Sequence, residues 1–188
     1  MAMKKTLLLS ILFSASANLA FAGTNVCEEH IYRAAQKYRV PIALLYAVGL
    51  AESGRKGKLH PYALNVEGRA FFPRNQSEAL RIFKRERAQG RNLIDLGCMQ
   101  INHKYHASAF PTLESMLNPR LNVDYSARFL RRLKDRHGTW SVAVARYHAG
   151  DKNHKAQKKY VCRVLQHMVA QKFAANTTSS NSICKSIH

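Results

Sequence analysis

One apolar segment constrains the fold more than any other, PIALLYAVGLAES at residues 41–53. Its apolar residues fall on nearly every side of a predicted helix, so this helix must run through the core rather than along the surface. Pro41 suits the first turn of such a helix, and Gly54 suits its end. The last turn nevertheless carries a carboxylate, Glu52, which needs an explanation of its own.

The remaining segments predict a mainly α domain with a small β insertion, an α+β class. A chain of 188 residues with 46% apolar composition can form one domain with a real core. Amphipathic helices are predicted to begin after three capping asparagines and to end at three glycines: Asn25, Asn75, Asn118, Gly90, Gly138 and Gly150. The segment YALNVEGRAFF predicts a hairpin, and LIDLGCMQIN resembles a strand that Gly97 would interrupt.

The first residues are typical of a secretory signal peptide. Lys4 and Lys5 supply the positive charge, TLLLSILFSASANL is too short to span a bilayer, and Ala20-Phe21-Ala22 matches a cleavage site. No later segment is apolar for long enough to anchor the chain in a membrane, so a periplasmic protein is expected. The predicted organisation is a signal peptide at 1–22, a folded domain at 23–175 and a polar tail at 176–188.

Four cysteines follow the predicted cleavage site: Cys27, Cys98, Cys162 and Cys184. An oxidising compartment favours two disulfides, and the sequence does not choose among the three possible pairings. Cys98 is the cysteine most expected to remain a thiol, because it lies within a motif, GCMQIN. No C-x-x-C or H-x-x-x-H pair is present, so neither a metal site nor a cofactor is predicted.

The chain carries a formal net charge of +19, and the predicted signal peptide contributes only two of these positive charges, Lys4 and Lys5. Such a surface attracts polyanions. An exported protein meets little nucleic acid, and no nucleic-acid recognition motif is present. Cell-wall polymer and anionic lipid are the acidic partners that fit the predicted location.

Glu52 admits two interpretations. In the first it forms a surface salt bridge to Arg55 or Lys56. In the second it is a functional acid, because the negative end of the helix dipole and the apolar neighbours both favour its protonated form. Glutamates in such surroundings serve enzymes as general acids. Glu52 alone does not decide between the two interpretations.

Three further segments change the balance: GCMQIN from Gly97, NPRLNVDYSARFLRRL from Asn118 and AVARYHAG from Ala143. With Glu52 and in this order, they resemble the lytic transglycosylases that carry the soluble lytic transglycosylase catalytic domain, a lysozyme-like fold. The chain is most similar to the small specialised members that accompany secretion, conjugation and pilus machines. The resemblance covers roughly residues 26–170.

The resemblance implies roles for particular residues. The family's Glu-Ser pair matches Glu52 and Ser53, its G-L-M-Q-I motif matches 97–101, and its A-Y-N-A-G motif matches 146–150. Among the departures from the pattern are Cys98 in place of Leu and His148 in place of Asn.

In the implied mechanism Glu52 is the acid and then the base in cleavage of the MurNAc-GlcNAc bond, leaving a 1,6-anhydro end. Ser53 would orient the substrate, and Gln100 would bind its N-acetyl or hydroxyl groups. Met99 and Tyr147 would supply apolar surroundings, and Tyr147 would also hydrogen-bond the Glu52 carboxyl.

Two alternatives remain open at this level. Asp95 would serve as a second carboxylate in lysozyme-like hydrolysis, or simply form a turn beside Gly97. The chain would otherwise be a non-catalytic wall-binding protein of an assembly apparatus. The expected partners are peptidoglycan glycan strands and components of a secretion, conjugation or pilus machine, with the protein itself a monomer. Neither nucleic acid nor stable membrane insertion is expected.

Overall fold

The structure, a computed structural model, describes residues 25–175 and Cys184. The predicted signal peptide at 1–22 and the rest of the predicted tail lie outside the described residues. The helices are α1 Val26–Tyr38, α2 Ile42–Ser53, α3 Gln76–Ala88, α4 His103–His106, α5 Leu113–Met116, α6 Pro119–His137, α7 Trp140–Ala149 and α8 His154–Ala170. The strands are β1 Leu64–Val66, β2 Arg69–Phe71, β3 Ile94–Leu96 and β4 Ile101–Asn102. The predicted class, mainly α with a small β insertion, is confirmed.

Helix α2 is the central helix, as its apolar sequence predicts. Leu45, Ala47 and Val48 are fully buried, and the helix packs against both α1 and α8. Gly54 ends it, where the backbone N–H of Gly54 donates to the Leu50 carbonyl. Because both flanks of α2 are covered by other helices, its last turn, with Glu52, is held in a fixed place.

The predicted helix boundaries at the three asparagines are confirmed. The side chains of Asn25, Asn75 and Asn118 each accept a hydrogen bond from a backbone N–H in the first turn of α1, α3 and α6. The side-chain oxygen of an asparagine satisfies one of the N–H groups that a helix start leaves unpaired. The short helices α4 and α5 were not predicted, because four residues are too few to show a helical period.

The strands form one antiparallel sheet in the order β2-β1-β3-β4. One face of the sheet is apolar and packs into the core, with Leu64, Val66, Ile94, Leu96 and Ile101 buried. The residues between them point to the other face, because side chains alternate along a strand. The sheet therefore offers one polar face on which a site can be built.

Gly97 does interrupt the strand predicted in LIDLGCMQIN, and residues 97–100 form a tight turn between β3 and β4. Gly97 has a φ of +80°, and a Cβ there would lie 2.7 Å from the side chain of Asn122. Both conditions require glycine at this position. Gln100 also has a positive φ, +47°.

Asn122 holds this turn to α6. It is fully buried, and its Oδ1 accepts from the Met99 N–H at 2.9 Å. Its Nδ2 donates to the carbonyls of Leu96 and Met116, each at 2.9 Å. One side chain thus hydrogen-bonds three backbone groups in the buried interior.

Two disulfides are present, Cys27–Cys98 and Cys162–Cys184. The two disulfides that the sequence favours are therefore confirmed, and Cys98, the cysteine most expected to be an exception, is paired. The turn places Cys98 beside the first turn of α1, and the Cα atoms of Cys27 and Cys98 are 5.8 Å apart, within the range that a disulfide spans. The bond therefore ties the 97–100 turn to the start of the fold.

Within the described part of the chain, no helix combines the length and apolarity that crossing a membrane requires.

Asn122→Ala is expected to lower the free energy of unfolding by about 3 kcal/mol or more, because three buried backbone groups lose their partner. Urea unfolding followed by circular dichroism measures the change. Gln36→Ala, at an exposed position of α1, is the control and should stay within about 0.5 kcal/mol of wild type. A loss of less than about 1 kcal/mol in Asn122→Ala would contradict the role given to this side chain.

Candidate active site

A cleft of about 840 Å³ opens beside the end of α2. Its walls come from α2, from the polar face of the sheet, from the 97–100 turn and from α4, α6, α7 and α8. The polar residues of its lining include Glu52, Asn65, Asp95, Gln100, Asn102, Tyr147 and His148. The end of the core helix thus faces an open groove rather than a covering element.

Glu52 lies in this cleft with its side chain 11% exposed. The Tyr160 hydroxyl donates to its Oε1 at 2.5 Å. His148 stands next to the pair: its ring stacks on that of Tyr160, with centroids 4.2 Å apart and planes within 4°, and its Nδ1 lies 3.7 Å from Oε1. Among the described residues, no group hydrogen-bonds Oε2. The carboxyl is therefore fixed through one oxygen, and its other oxygen has no protein partner there.

The sequence did not identify Tyr160 as a site residue. Tyr160 belongs to the apolar stripe of α8, where a buried tyrosine is indistinguishable from packing. Burial, and then the charge of Glu52, raise the pKa of Tyr160 well above its usual range. Its hydroxyl consequently keeps its proton and acts as a donor. Only the packing of α8 against α2 reveals the contact.

The predicted hydrogen bond from Tyr147 to Glu52 is absent. The Tyr147 hydroxyl instead donates to the Met99 carbonyl at 2.9 Å and contacts the Ser126 hydroxyl at 3.1 Å. Tyr147 still lines the cleft, and its pKa is raised well above the usual range by burial first and by the charge of Glu52 second. The tyrosine thus supports the 97–100 turn from α7 while remaining within electrostatic range of Glu52.

Ser53 and Met99 lie beneath the cleft rather than on its surface. Ser53 is 1% exposed, and its Oγ donates to the Cys98 carbonyl at 2.7 Å and accepts from the His60 N–H at 3.3 Å. Met99 is fully buried in the core. In this arrangement both residues join α2 to the turn, and neither side chain has the exposure that contact with a substrate requires.

Gln100 lies on the cleft surface, where the predicted contact with a sugar is sterically open to it. Its Nε2 donates to the carbonyls of Ala63 and Gly97, at 2.9 and 3.0 Å. These bonds occupy the two N–H groups of the amide, so its Oε1 is the atom left to face a ligand. The side chain is thereby held in one orientation.

A second carboxylate, Asp95, shares the cleft with Glu52. Asn102 Nδ2 donates to Asp95 Oδ1 at 2.8 Å. Burial is the main cause that raises the pKa of Asp95, to about 6, and the charge of Glu52 adds to it. The two carboxylates therefore lie close enough to influence each other.

No group of three or more His, Cys, Asp or Glu side chains suited to a metal ion occurs among residues 25–175. The polar groups around Glu52 include the Asp95 carboxylate, the amides of Asn65, Gln100 and Asn102, and the stacked rings of Tyr160 and His148. Such groups are suited to proton transfer and hydrogen bonding.

Comparisons with known proteins identify one family. The family model described as the transglycosylase SLT domain matches residues 29–166, a range that contains Glu52, the 97–100 turn and Tyr160. No curated protein and no solved structure matches the chain. The family acts on peptidoglycan and indicates a lytic transglycosylase with a lysozyme-like catalytic domain. The chain belongs to the transglycosylase SLT domain family.

Proposed function

We propose that this protein cleaves the β-1,4 bond between MurNAc and GlcNAc in peptidoglycan, with Glu52 as acid and then base, and leaves 1,6-anhydro-MurNAc ends. The observation that carries the proposal is the hydrogen bond from the Tyr160 hydroxyl to Glu52 Oε1. Because Tyr160 keeps its proton, Oε1 accepts that bond, and the proton of the acid form belongs on Oε2. Oε2 is the atom without a protein partner among the described residues.

In the first step the Glu52 proton passes from Oε2 to the glycosidic oxygen, and the bond from C1 of MurNAc to that oxygen breaks. GlcNAc leaves with the proton on its O4. The acetamido oxygen of MurNAc stabilises the positive charge that develops at C1. The Glu52 carboxylate remains with its negative charge facing the cleft, still held through Oε1 by Tyr160.

In the second step ionised Glu52 removes the proton from the C6 hydroxyl of MurNAc as O6 bonds to C1. The ring closes, and Glu52 is again protonated on the oxygen that began the cycle. No water is consumed, so a single carboxyl is enough for both steps. Gln100 orients the substrate at the cleft surface. Ser53, Met99 and Tyr147 lie beneath Gln100 and keep the 97–100 turn in position.

A second candidate, lysozyme-like hydrolysis, is favoured by one observation. Asp95 is a second carboxylate in the cleft, within electrostatic reach of Glu52. Hydrolysis needs such a group to activate water or stabilise the sugar cation. A third candidate, a wall-binding protein without catalysis, would make Glu52 dispensable.

The sequence also supports a proposal for the setting of the activity. The predicted signal peptide at 1–22 and the similarity to the small specialised transglycosylases support periplasmic wall remodelling for a secretion, conjugation or pilus apparatus. The basic charge of the chain fits an anionic wall polymer as the partner.

Digestion of purified sacculi tests the reaction. Wild type should release muropeptides with anhydro ends, and Glu52→Gln should reduce their release by about a thousandfold or more, because the proton donor is lost. Mass spectrometry identifies the ends. Glu67→Gln removes another carboxylate that lines the cleft and should stay within about threefold of wild type, because no step uses it.

The other outcomes of this digestion separate the candidates. Ends heavier by one water would overturn the transglycosylase reaction in favour of hydrolysis with Asp95. Equal release by wild type and Glu52→Gln would show that Glu52 is not catalytic. No release by wild type, with binding to sacculi intact, would favour the wall-binding protein.

Asp95→Asn is expected to stabilise the fold at neutral pH. The pKa of Asp95 in the wild-type protein is raised in the folded state, to about 6. Protonated Asp95 therefore contributes its full stability to the wild-type fold below about pH 4, and this contribution is lost as the pH rises through 6 and the carboxyl ionises. Asparagine avoids the buried charge, keeps an oxygen for the Asn102 hydrogen bond and should add about 2 kcal/mol at pH 7.

Thermal unfolding at pH 4 and pH 7 measures this effect. The two proteins should differ little at pH 4, and the variant should unfold at the higher temperature at pH 7. A variant less stable than wild type at pH 7 would show that the Asp95 charge is not a cost to the fold.

A further inference from the structure

Three polar side chains form a row across the sheet, Asn65, Asp95 and Asn102. The strand register pairs Asn65 of β1 with Asp95 of β3, and Asp95 with Asn102 of β4. All three are partly exposed. Asn65 and Asp95 each lie between two buried apolar residues of their strand, Asn102 follows the buried Ile101, and all three line the cleft that holds Glu52. We call this row the polar ladder.

Hydrogen bonds within the protein fix the orientation of each side chain in the polar ladder. Asn102 Oδ1 accepts from the Lys104 N–H at 3.0 Å, and its Nδ2 donates to Asp95 Oδ1 at 2.8 Å. Asn65 Oδ1 accepts from the Gly68 N–H at 2.8 Å. Two groups have no hydrogen-bond partner among the described residues, Asn65 Nδ2, which only donates, and Asp95 Oδ2, which accepts when ionised.

These two groups belong to cross-strand neighbours, whose Cβ atoms are typically about 5 Å apart. They therefore present one donor and one acceptor side by side to the cleft. The C2–C3 edge of N-acetylmuramic acid, MurNAc, has the complementary pattern: an acetamido N–H at C2, which donates, and an ether oxygen at C3, which only accepts. In GlcNAc the oxygen at C3 is a hydroxyl and can do both.

We propose that Asn65 and Asp95 bind the C2–C3 edge of the MurNAc ring, with Asp95 Oδ2 accepting the acetamido N–H and Asn65 Nδ2 donating to the ether oxygen. This inference rests on the proposed function, since it names the residues that seat the sugar beside Glu52. Neither residue belongs to the motifs that carry the sequence resemblance.

Two properties of the site support this assignment. The raised pKa of Asp95, about 6, leaves its carboxyl mostly ionised at neutral pH, so Oδ2 is an acceptor there. A half-buried charge that destabilises the fold, and that the Asn102 amide holds in place, is consistent with a task in the cleft. The dependence of this pKa on Glu52 also places the polar ladder beside the proposed acid.

Binding measured in the Glu52→Gln background tests the inference without turnover. The ligands are the tetrasaccharide (GlcNAc-MurNAc)₂ and chitotetraose, which contains GlcNAc only, and isothermal calorimetry gives the affinities. Asn65→Asp keeps the oxygen that accepts from Gly68 and replaces the donor with an acceptor. It should weaken the MurNAc ligand about tenfold and change chitotetraose less than about twofold, because a C3 hydroxyl can donate to the new carboxylate.

Two further variants control for charge and for the acetamido contact. Leu93→Asp places a carboxylate at an exposed position of the same wall without touching a ladder group, and should not reproduce the MurNAc-specific loss. Asp95→Asn should weaken both ligands about tenfold, because both carry the acetamido N–H. Retained chitotetraose binding shows that the Asn65→Asp protein is folded.

The inference is overturned if Asn65→Asp weakens both ligands equally or neither, or if Leu93→Asp gives the same selective loss. The result is separable from the proposed function. A protein that shows this binding pattern but releases no muropeptides would refute catalysis and keep the sugar site. A protein that releases anhydro muropeptides without this pattern would keep catalysis and refute the assignment of Asn65 and Asp95.

Discussion

The attachment of the 97–100 turn to the surrounding helices is the constraint on which the cleft depends. Asn122 of α6 binds the turn from below, Ser53 of α2 binds the Cys98 carbonyl, and Tyr147 of α7 binds the Met99 carbonyl. The Cys27–Cys98 disulfide adds α1. Four helices thus meet at one short turn, so the end of α2, the sheet and α7 keep fixed positions around Glu52. The role proposed for Glu52 needs this rigidity, because proton transfer requires the carboxyl within hydrogen-bonding reach of the glycosidic oxygen.

The site divides into a buried layer and a surface layer. Ser53 and Met99, which belong to the motifs, lie in the buried layer and hold the turn together. The surface layer contains Glu52 with Gln100 and the polar side chains of the sheet. A motif residue therefore need not touch the substrate, since a glycine or a buried side chain in the same motif fixes the geometry in which a neighbour acts.

The sequence predicts the fold better than it predicts the contacts. Periodicity and capping asparagines give the long helices, and the all-round apolar character of 41–53 gives the core helix. The role of Asn122 and the pairing of Cys98 depend on contacts between distant segments, which no local pattern records. The same is true of the acid's partner: Tyr147 stands in a recognisable motif, whereas Tyr160, which binds Glu52, looks like packing until α8 is placed against α2.

We propose that Tyr160 holds one carboxyl oxygen of Glu52, and that the other oxygen, which has no protein partner among the described residues, faces the glycosidic bond. A crystal structure of the Glu52→Gln protein with (GlcNAc-MurNAc)₂ bound tests it most directly. The account predicts the glycosidic oxygen within about 3.5 Å of the residue 52 side chain, on the side away from the Tyr160 hydroxyl. A glycan bound in the cleft with this linkage out of reach of residue 52, or a Tyr160 hydroxyl turned away from it, would contradict the account.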